Sequence, residues 1–214
     1  MLTVDSIFFD VDGTLVDSKK DIATAVNYAL KSLGLEVRPE GEVYGFIGSG
    51  TKDLVRKSLG AENAASADKA LEAFSKYYAE HSAENTVLYP HAKEILEYFK
   101  DKKKYILTNR YKRFAEITLK TMGIRDYFLD IIGGDDENCL KPSTCAVDPF
   151  ISGAGIDPSR ALIVGDMSID IQTGINAGIK TCWVTYGLGK TEDVLPLKPD
   201  LIIDDLIELK GVVK

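Results

Sequence analysis

Cysteine and histidine are scarce in this 214-residue chain, and their scarcity excludes two kinds of protein. Only three cysteines occur, Cys139, Cys145 and Cys182, and none belongs to a C-x-x-C motif. We therefore expect reduced thiols and no disulfide scaffold. The two histidines, His81 and His91, lie far from the cysteines and from any nucleophile pattern, which argues against a zinc site.

Long apolar runs and an excess of positive charge are also missing. No stretch is long enough to span a bilayer, and no charged segment followed by an apolar one resembles a signal peptide. The net charge of −7 disfavours nucleic acid as a partner, because phosphate contacts need a basic face. We expect a cytoplasmic monomer or homodimer with no membrane and no nucleic-acid partner.

What is present is enough apolar material for a large core, since hydrophobic residues make up 45% of the chain. From Leu88 onward, segments of helical periodicity alternate with short apolar runs, a pattern typical of parallel strands joined by helical crossovers. Strands are expected at residues 7–9, 105–108, 130–133, 161–165, 181–184 and 201–203, with helices at 90–100, 111–122, 144–153 and 169–177. The sequence thus predicts an α/β protein with a Rossmann-like, doubly wound parallel sheet.

The alternation is interrupted directly after the first strand. Residues 19–33, 51–59 and 67–81 have apolar residues at helical spacing, and a short helix is expected after Pro39. This stretch contains no convincing strand. We interpret residues 1–15 and 88–214 as the core and residues 16–87 as an inserted helical cap domain.

Polar side chains follow the apolar runs of the core. Asp10 and Asp12 follow the first run, and the alternation along a strand places both carboxylates on one face, with Val11 pointing away. Because the carboxyl ends of parallel strands meet at one edge of the sheet, where ligands bind in such folds, we expect a single site there. Its other candidate residues are Thr108, Asn109, Arg110, Lys141, Asp166 and Asp170.

The charges of this set indicate a metal ion. Like charges about 4 Å apart repel by about 1 kcal/mol in water and by about 4 kcal/mol at an effective dielectric constant of 20, and one lysine does not offset four carboxylates. Either a proton or a divalent cation must compensate, and an all-oxygen donor set favours Mg²⁺. The simpler alternative is that the first acid pair closes a polar turn and the second caps a helix.

These polar segments resemble the four motifs of the haloacid-dehalogenase superfamily. Residues 10–18, with the sequence DVDGTLVDS, resemble the first motif in its phosphatase form. Thr108-Asn109 resembles the second motif, Lys141-Pro142 the third, and residues 165–170, GDMSID, the fourth. Their order matches over nearly the whole chain, and the ordered set is highly specific. The resemblance also implies a helical cap inserted after the first strand.

The resemblance implies a role for each acid. Asp10 would be the nucleophile that attacks phosphorus and forms an aspartyl-phosphate. Asp12 would protonate the leaving alcohol and later deprotonate the attacking water. Mg²⁺ would be held by the carboxylate of Asp10, the backbone carbonyl of Asp12, Asp166, and Asp170 directly or through water.

The resemblance also implies roles for three residues of the second and third motifs. Thr108 and the backbone amide of Asn109 would hold phosphate oxygens, and Lys141 would offset the charge of the nucleophile and of the transferred group. Arg110 departs from the family pattern. It binds phosphate or a substrate carboxylate, or it pairs with an acid on the surface, and the sequence leaves these alternatives open.

Residues 45–54 of the cap resemble the substrate-facing loop of phosphoglycolate phosphatase-like members. Gly48, Ser49, Gly50 and Lys52 are its candidate substrate-binding residues, since glycines permit close approach and a helix start favours an anion. A plain turn between helices is the alternative.

We interpret the chain as a Mg²⁺-dependent phosphatase of a small phosphorylated metabolite, with phosphoglycolate as the named candidate. The carboxylate of Asp12 disfavours the dehalogenases and phosphonate hydrolases of the superfamily, which lack it. The alternatives are a phosphomutase of the β-phosphoglucomutase type and a non-catalytic binding protein with the same fold.

Overall fold

A computed structural model of the chain describes residues 1–153 and 155–214 and contains two β-sheets. In chain order the strands are β1 (Ser6–Phe9), β2 (Val16–Asp17), β3 (Val87–Leu88), β4 (Lys103–Leu107), β5 (Asp130–Ile132), β6 (Ala161–Gly165), β7 (Lys180–Val184) and β8 (Leu201–Ile203). Six of them form a parallel sheet in the order β5-β4-β1-β6-β7-β8. The remaining two, β2 and β3, form an antiparallel pair.

Helices precede, connect and cover these strands. They are α1 (Lys19–Ser32), α2 (Glu40–Tyr44), α3 (Thr51–Leu59), α4 (Ala67–His81), α5 (Ala92–Tyr98), α6 (Lys112–Thr121), α7 (Ser168–Ala177), α8 (Thr191–Val194) and α9 (Leu209–Val212). Within the part of the chain that the structure describes, no helix combines the length and the apolar character needed to cross a membrane.

The strand β1 lies at the centre of the sheet and is buried on both faces. Ile7 and Phe9 belong to one buried apolar cluster and Phe8 to another, as expected when successive side chains point to opposite faces. Phe9 pairs with Ile106 of β4 and with Val164 of β6, so these three strands end at the same level. The predicted α/β fold class, a Rossmann-like parallel sheet with an inserted helical cap, is confirmed.

The helices α1–α4, here called the cap, have a core of their own. Ile22, Val26, Leu54 and Phe74 are buried together in it. The prediction that residues 16–87 contain no strand is wrong at both ends. The two segments that connect the core to the cap run side by side and pair as the antiparallel strands β2 and β3. The domain bounds of 1–15 and 88–214 for the core and 16–87 for the cap stay a prediction.

The helix predicted at residues 144–153 is wrong over its first half. The structure has turns there, followed by a short π-helix at Pro149–Gly153. Pro149 lacks a backbone N–H and disfavours the helical conformation in the residue before it, which explains why an α-helix does not continue through this point.

The expectation of three reduced cysteines is also wrong. Cys139 and Cys145 form a disulfide with their Cα atoms 5.3 Å apart, while Cys182 is a buried free thiol. The bridge closes a seven-residue loop that contains Lys141. Sequence spacing alone does not reveal that the backbone turns back on itself between the two cysteines.

A buried carboxylate ties the beginning of the cap to its end. Asp21 of α1 accepts hydrogen bonds of 2.7–3.0 Å from the backbone N–H groups of Asn85 and Thr86, from the Asn85 side-chain amide and from the Thr86 hydroxyl. We expect Asp21→Ala to lower the free energy of unfolding by about 3 kcal/mol, since it leaves the two buried donors of Thr86 and the partly buried donors of Asn85 without this acceptor. Urea denaturation measures this loss. The exposed Asp68→Ala serves as the control and should change stability by less than about 0.5 kcal/mol.

Candidate active site

Three buried polar residues lie at the carboxyl edge of the central strands. Asp10 follows β1, Thr108 follows β4 and Asp166 follows β6. Gly13 makes room for this arrangement, because its φ of +85° is one that glycine tolerates and a Cβ atom there would lie 2.3 Å from Asp166 Oδ2. The edge that the sequence predicts as the site therefore brings these residues together.

Lys141 joins two of the acids from the segment that follows β5. Its Nζ lies 3.0 Å from Asp10 Oδ1 and 2.6 Å from Asp170 Oδ1, and it also donates to the carbonyl oxygen of Leu107 at 3.0 Å. Burial lowers the pKa of Lys141, but the charges of Asp10 and Asp170 outweigh this effect and raise the pKa above its usual value. The ammonium group is therefore charged at neutral pH.

Asp166 and Asp170 complete a carboxylate cluster. Ligand oxygens of Asp10, Asp166 and Asp170 all lie within 4.8 Å of one another, and all three side chains are buried. Burial, with the charges of Asp170 and Asp10, raises the pKa of Asp166 well above its usual value. Burial also raises the pKa of Asp170 to about 6, although Lys141 opposes the shift.

The cluster fits a divalent cation. Among the described residues, Asp10 Oδ1 accepts no assigned hydrogen bond despite its burial, and the Lys141 ammonium, 3.0 Å away, is the cation beside it. A buried carboxylate oxygen without a partner is costly unless a cation or proton compensates it. Oxygen donors without histidine or cysteine suit a hard ion such as Mg²⁺.

We expect Mg²⁺ to stabilise the protein more strongly as the pH rises through about 6. Because the pKa of Asp170 is raised to about 6 in the metal-free fold, the folded protein binds a proton there more tightly than the unfolded chain does. The stability gained from this proton is present at low pH and is lost as the pH rises through about 6. A cation requires the deprotonated carboxylates, so its binding strengthens over the same range. Thermal unfolding with and without a fixed excess of MgCl₂, from about pH 5 to about pH 8, measures the difference. An Mg²⁺-induced Tm shift that is constant across this range would contradict the assignment.

Asp12 lies next to the cluster with partners of its own. Its Oδ1 accepts hydrogen bonds from the Ser18 hydroxyl and from the Arg110 guanidinium. Burial raises the pKa of Asp12, the charge of Arg110 counteracts this, and the charge of Asp10 adds to it, so the pKa is raised overall. Arg110 does pair with an acid, but the expectation that such a pair would lie on the surface is wrong, because Arg110 and Asp12 are both buried.

Asn109 links the cap to the loop of Lys141. Its side-chain N–H₂ donates to the carbonyl oxygen of Gly48 at 2.9 Å and to that of Lys141 at 3.1 Å. Its Oδ1 accepts from the backbone N–H of Lys141 at 2.7 Å. The hydroxyl oxygen of Thr108 accepts the backbone N–H of Arg110 at 3.1 Å.

A cavity of about 40 Å³, room for a few water molecules, lies between the acids and the cap. Gly48 and Gly50 line it, as do Asp10, Asp12, Thr108, Asn109, Arg110 and Lys141. Its cap side is mostly apolar, formed by Ile22, Ile47, Leu54, Phe74, Thr51 and Tyr78. The cavity is therefore lined by charged residues on the core side and by mostly apolar residues on the cap side.

Two predicted substrate-binding residues lie outside this lining. Ser49 donates to Asp53, and the ammonium of Lys52 pairs with Glu137 on an exposed part of the surface. Gly48, in contrast, packs against the core, because a Cβ atom there would lie 2.5 Å from the sulfur of Met167. A substrate-binding role for Ser49 and Lys52 stays a prediction.

Sequence reasoning missed several residues that complete the site. Thr14 donates to Asp166 Oδ1 at 2.9 Å, and the backbone N–H of Leu188 donates to Asp166 Oδ2 at 2.7 Å. Leu188 stands between two glycines shortly after β7 and acts through its backbone N–H, so a rule based on polar side chains at strand ends does not select it. Ser18, whose hydroxyl donates to Asp12, and Tyr78, whose phenol oxygen accepts from Arg110, also belong to this set.

Comparison with known proteins gives consistent results. A family model described as haloacid dehalogenase-like hydrolase matches residues 7–184. The phosphoglycolate phosphatase of Vibrio parahaemolyticus is 33% identical over 216 residues, which cover 97% of this chain and 95% of that protein. The phosphoglycolate phosphatase of Aquifex aeolicus is 36% identical and covers 89% of each chain. A crystal structure of a predicted phosphoglycolate phosphatase from Haemophilus somnus has a TM-score of 0.89, with 28% identity and 99% coverage of both chains.

Proposed function

Since the chain belongs to the haloacid dehalogenase-like hydrolase family and is a phosphoric monoester hydrolase, we propose that it is a Mg²⁺-dependent phosphatase that works through an aspartyl-phosphate. The observation that carries the proposal is the buried cluster of Asp10, Asp166 and Asp170, with Lys141 as the cation that pairs with Asp10 and Asp170.

The proposed reaction has two steps, both at phosphorus. A carboxylate oxygen of Asp10 forms a bond to phosphorus while the bond to the leaving alcohol breaks, and Asp12 gives its proton to that alcohol. Asp12 then takes a proton from water, whose oxygen attacks phosphorus and releases Asp10. The raised pKa of Asp12 supports its holding a proton before the first step.

Charge compensation falls to the remaining groups. Lys141 offsets the negative charge that gathers on the nucleophile and the phosphoryl oxygens, and Thr108 and the Asn109 amide hold those oxygens. The residues that would hold Mg²⁺ are Asp10, Asp12 through its carbonyl, Asp166 and Asp170. When bound, Mg²⁺ supplies further charge neutralisation to the phosphoryl group.

We propose phosphoglycolate as the first substrate to test. The support comes from relatives of that name at 33% and 36% identity over most of the chain and from the small size of the cavity. The coarser proposal, a small phosphate monoester, does not depend on this choice.

Phosphate release from a panel of phosphate monoesters tests the function. We expect turnover of p-nitrophenyl phosphate and of at least one small metabolite ester with Mg²⁺, and loss of turnover with excess EDTA. Failure with every ester would favour the non-catalytic alternative. Phosphorus NMR of β-glucose 1-phosphate covers the mutase alternative, since formation of the 6-phosphate without free phosphate would replace the phosphatase assignment.

A further inference from the structure

Arg110 is a buried cation whose guanidinium donates hydrogen bonds to three side chains of this protein. Only 6% of the residue is exposed. One terminal nitrogen donates to Asp12 Oδ1 and, at 2.5 Å, to the phenol oxygen of Tyr78. The other donates to the hydroxyl of Thr118 on α6 at 2.8 Å. These partners fix the guanidinium in one orientation.

The partner Tyr78 belongs to the cap. It lies on α4, is 1% exposed, and its ring centre is 5.2 Å from the guanidinium carbon. Arg110 itself is anchored to the core through Thr118. A continuous chain of contacts therefore runs from the cap helix through Arg110 to Asp12.

We propose that Arg110 is a positioning residue that, together with Tyr78, holds the carboxyl group of Asp12 in place for proton transfer when the cap covers the core. The proposal rests on the acid–base role of Asp12 in the proposed function. Arg110 exchanges no proton: the proton passes from Asp12 to the leaving oxygen as the bond to phosphorus breaks, and from water back to Asp12 in the second step.

The geometry argues against Arg110 as an anchor for the substrate. One terminal nitrogen already donates to Asp12 and Tyr78 and the other to Thr118, so a phosphate or carboxylate held by both terminal nitrogens would have to displace Asp12 or Tyr78. Displacing Asp12 would leave that buried carboxylate without its cation, which is strongly unfavourable. The hydrogen bond from Arg110 to Asp12 is therefore better suited to orienting Asp12 than to binding the substrate.

The choice of substrate distinguishes a role of Arg110 in orienting Asp12 from a role in binding the substrate. Phosphoglycolate and ethyl phosphate have leaving alcohols of the same chain length, with and without a carboxylate, and both need a proton to leave. In p-nitrophenyl phosphate the leaving group departs without one, so its first turnover does not depend on a positioned acid.

We expect Arg110→Met to lower kcat about 100-fold for both alkyl phosphates while KM changes less than about threefold. The burst of p-nitrophenolate in the first turnover should keep its rate within about threefold. Arg110→Lys should recover part of the loss, and Tyr78→Phe should lower kcat about threefold to tenfold with the same substrate pattern. Arg125→Met removes an arginine paired with Glu116 at 3.0 Å in the core and is the control, with unchanged kinetics.

Several outcomes would overturn the proposal. A rise in KM for phosphoglycolate alone would make Arg110 a carboxylate anchor, and an equal loss of the p-nitrophenolate burst would make its role merely structural; in both cases the proposed phosphatase function survives. A wild-type protein that hydrolyses none of the three esters would overturn both. If Arg110→Met does not fold, Arg110→Lys and Tyr78→Phe carry the same comparison.

Discussion

Asp10→Asn should reduce kcat for any phosphate monoester by about ten-thousandfold or more, because it removes the proposed nucleophile and leaves its surroundings in place. Asparagine has nearly the shape of aspartate and keeps one oxygen for the nearby Lys141 ammonium. It also removes one negative charge from a crowded cluster, so we expect the protein to stay folded. Steady-state phosphate release and circular dichroism measure the two effects.

The intermediate itself provides a second readout for this variant. In Asp12→Asn the second step should slow, so the intact mass of the protein should gain one phosphoryl group after brief exposure to p-nitrophenyl phosphate, whose leaving group needs no proton in the first step. The double variant with Asp10→Asn should gain none. Asp130→Asn, on a partly exposed residue paired with Lys112, is the control and should keep full activity. Activity of Asp10→Asn within about tenfold of the wild type would remove the nucleophile assignment.

Lys141→Met is expected to have the second largest effect, on both activity and stability. The variant leaves Asp10 and Asp170 facing each other without their shared cation, and breaking a buried ion pair in this way costs about 3–5 kcal/mol. The loss should shrink at acidic pH, where a proton takes over the compensation. We expect kcat to fall about a thousandfold through loss of electrostatic stabilisation. Urea unfolding at two pH values measures the loss of stability, and phosphate release measures the loss of kcat.

Lys104 provides a matched control for this experiment. It is 3% exposed, as buried as Lys141, and it donates to the carbonyl oxygens of Phe99 and Lys102, away from the cavity. Lys104→Met should affect stability and leave the activity of the folded protein unchanged. Equal loss of activity in the two variants would mean that Lys141 acts only through folding.

The sequence was sufficient to predict the sheet because the information is local there. Apolar runs such as residues 7–9 and 161–165 alternate with helical periodicity, and the polar residue after each run marks the carboxyl edge. The same rule predicted that Asp10 and Asp166 meet. Helices α3 and α4 begin and end at the predicted residues, since the apolar spacing is regular up to both ends.

The remaining features depend on contacts between distant residues. Arg110 meets Asp12 across 98 positions and Tyr78 across 32, and nothing in the local pattern selects these partners among the possible ones. The pairing of Cys139 with Cys145 depends on a turn that periodicity does not encode. Ser18 stands at the N-cap position of α1, but its side chain makes no capping hydrogen bond and its hydroxyl donates to Asp12 instead.

The bridge between Cys139 and Cys145 has a practical consequence for every kinetic experiment on this enzyme. Since it encloses Lys141, a purification with dithiothreitol and one without it yield two covalently different proteins in the segment that supplies the ammonium group. Rate constants are therefore comparable only between preparations of the same thiol content. A thiol titration under denaturing conditions distinguishes them, because one free sulfhydryl, that of Cys182, belongs to the bridged form.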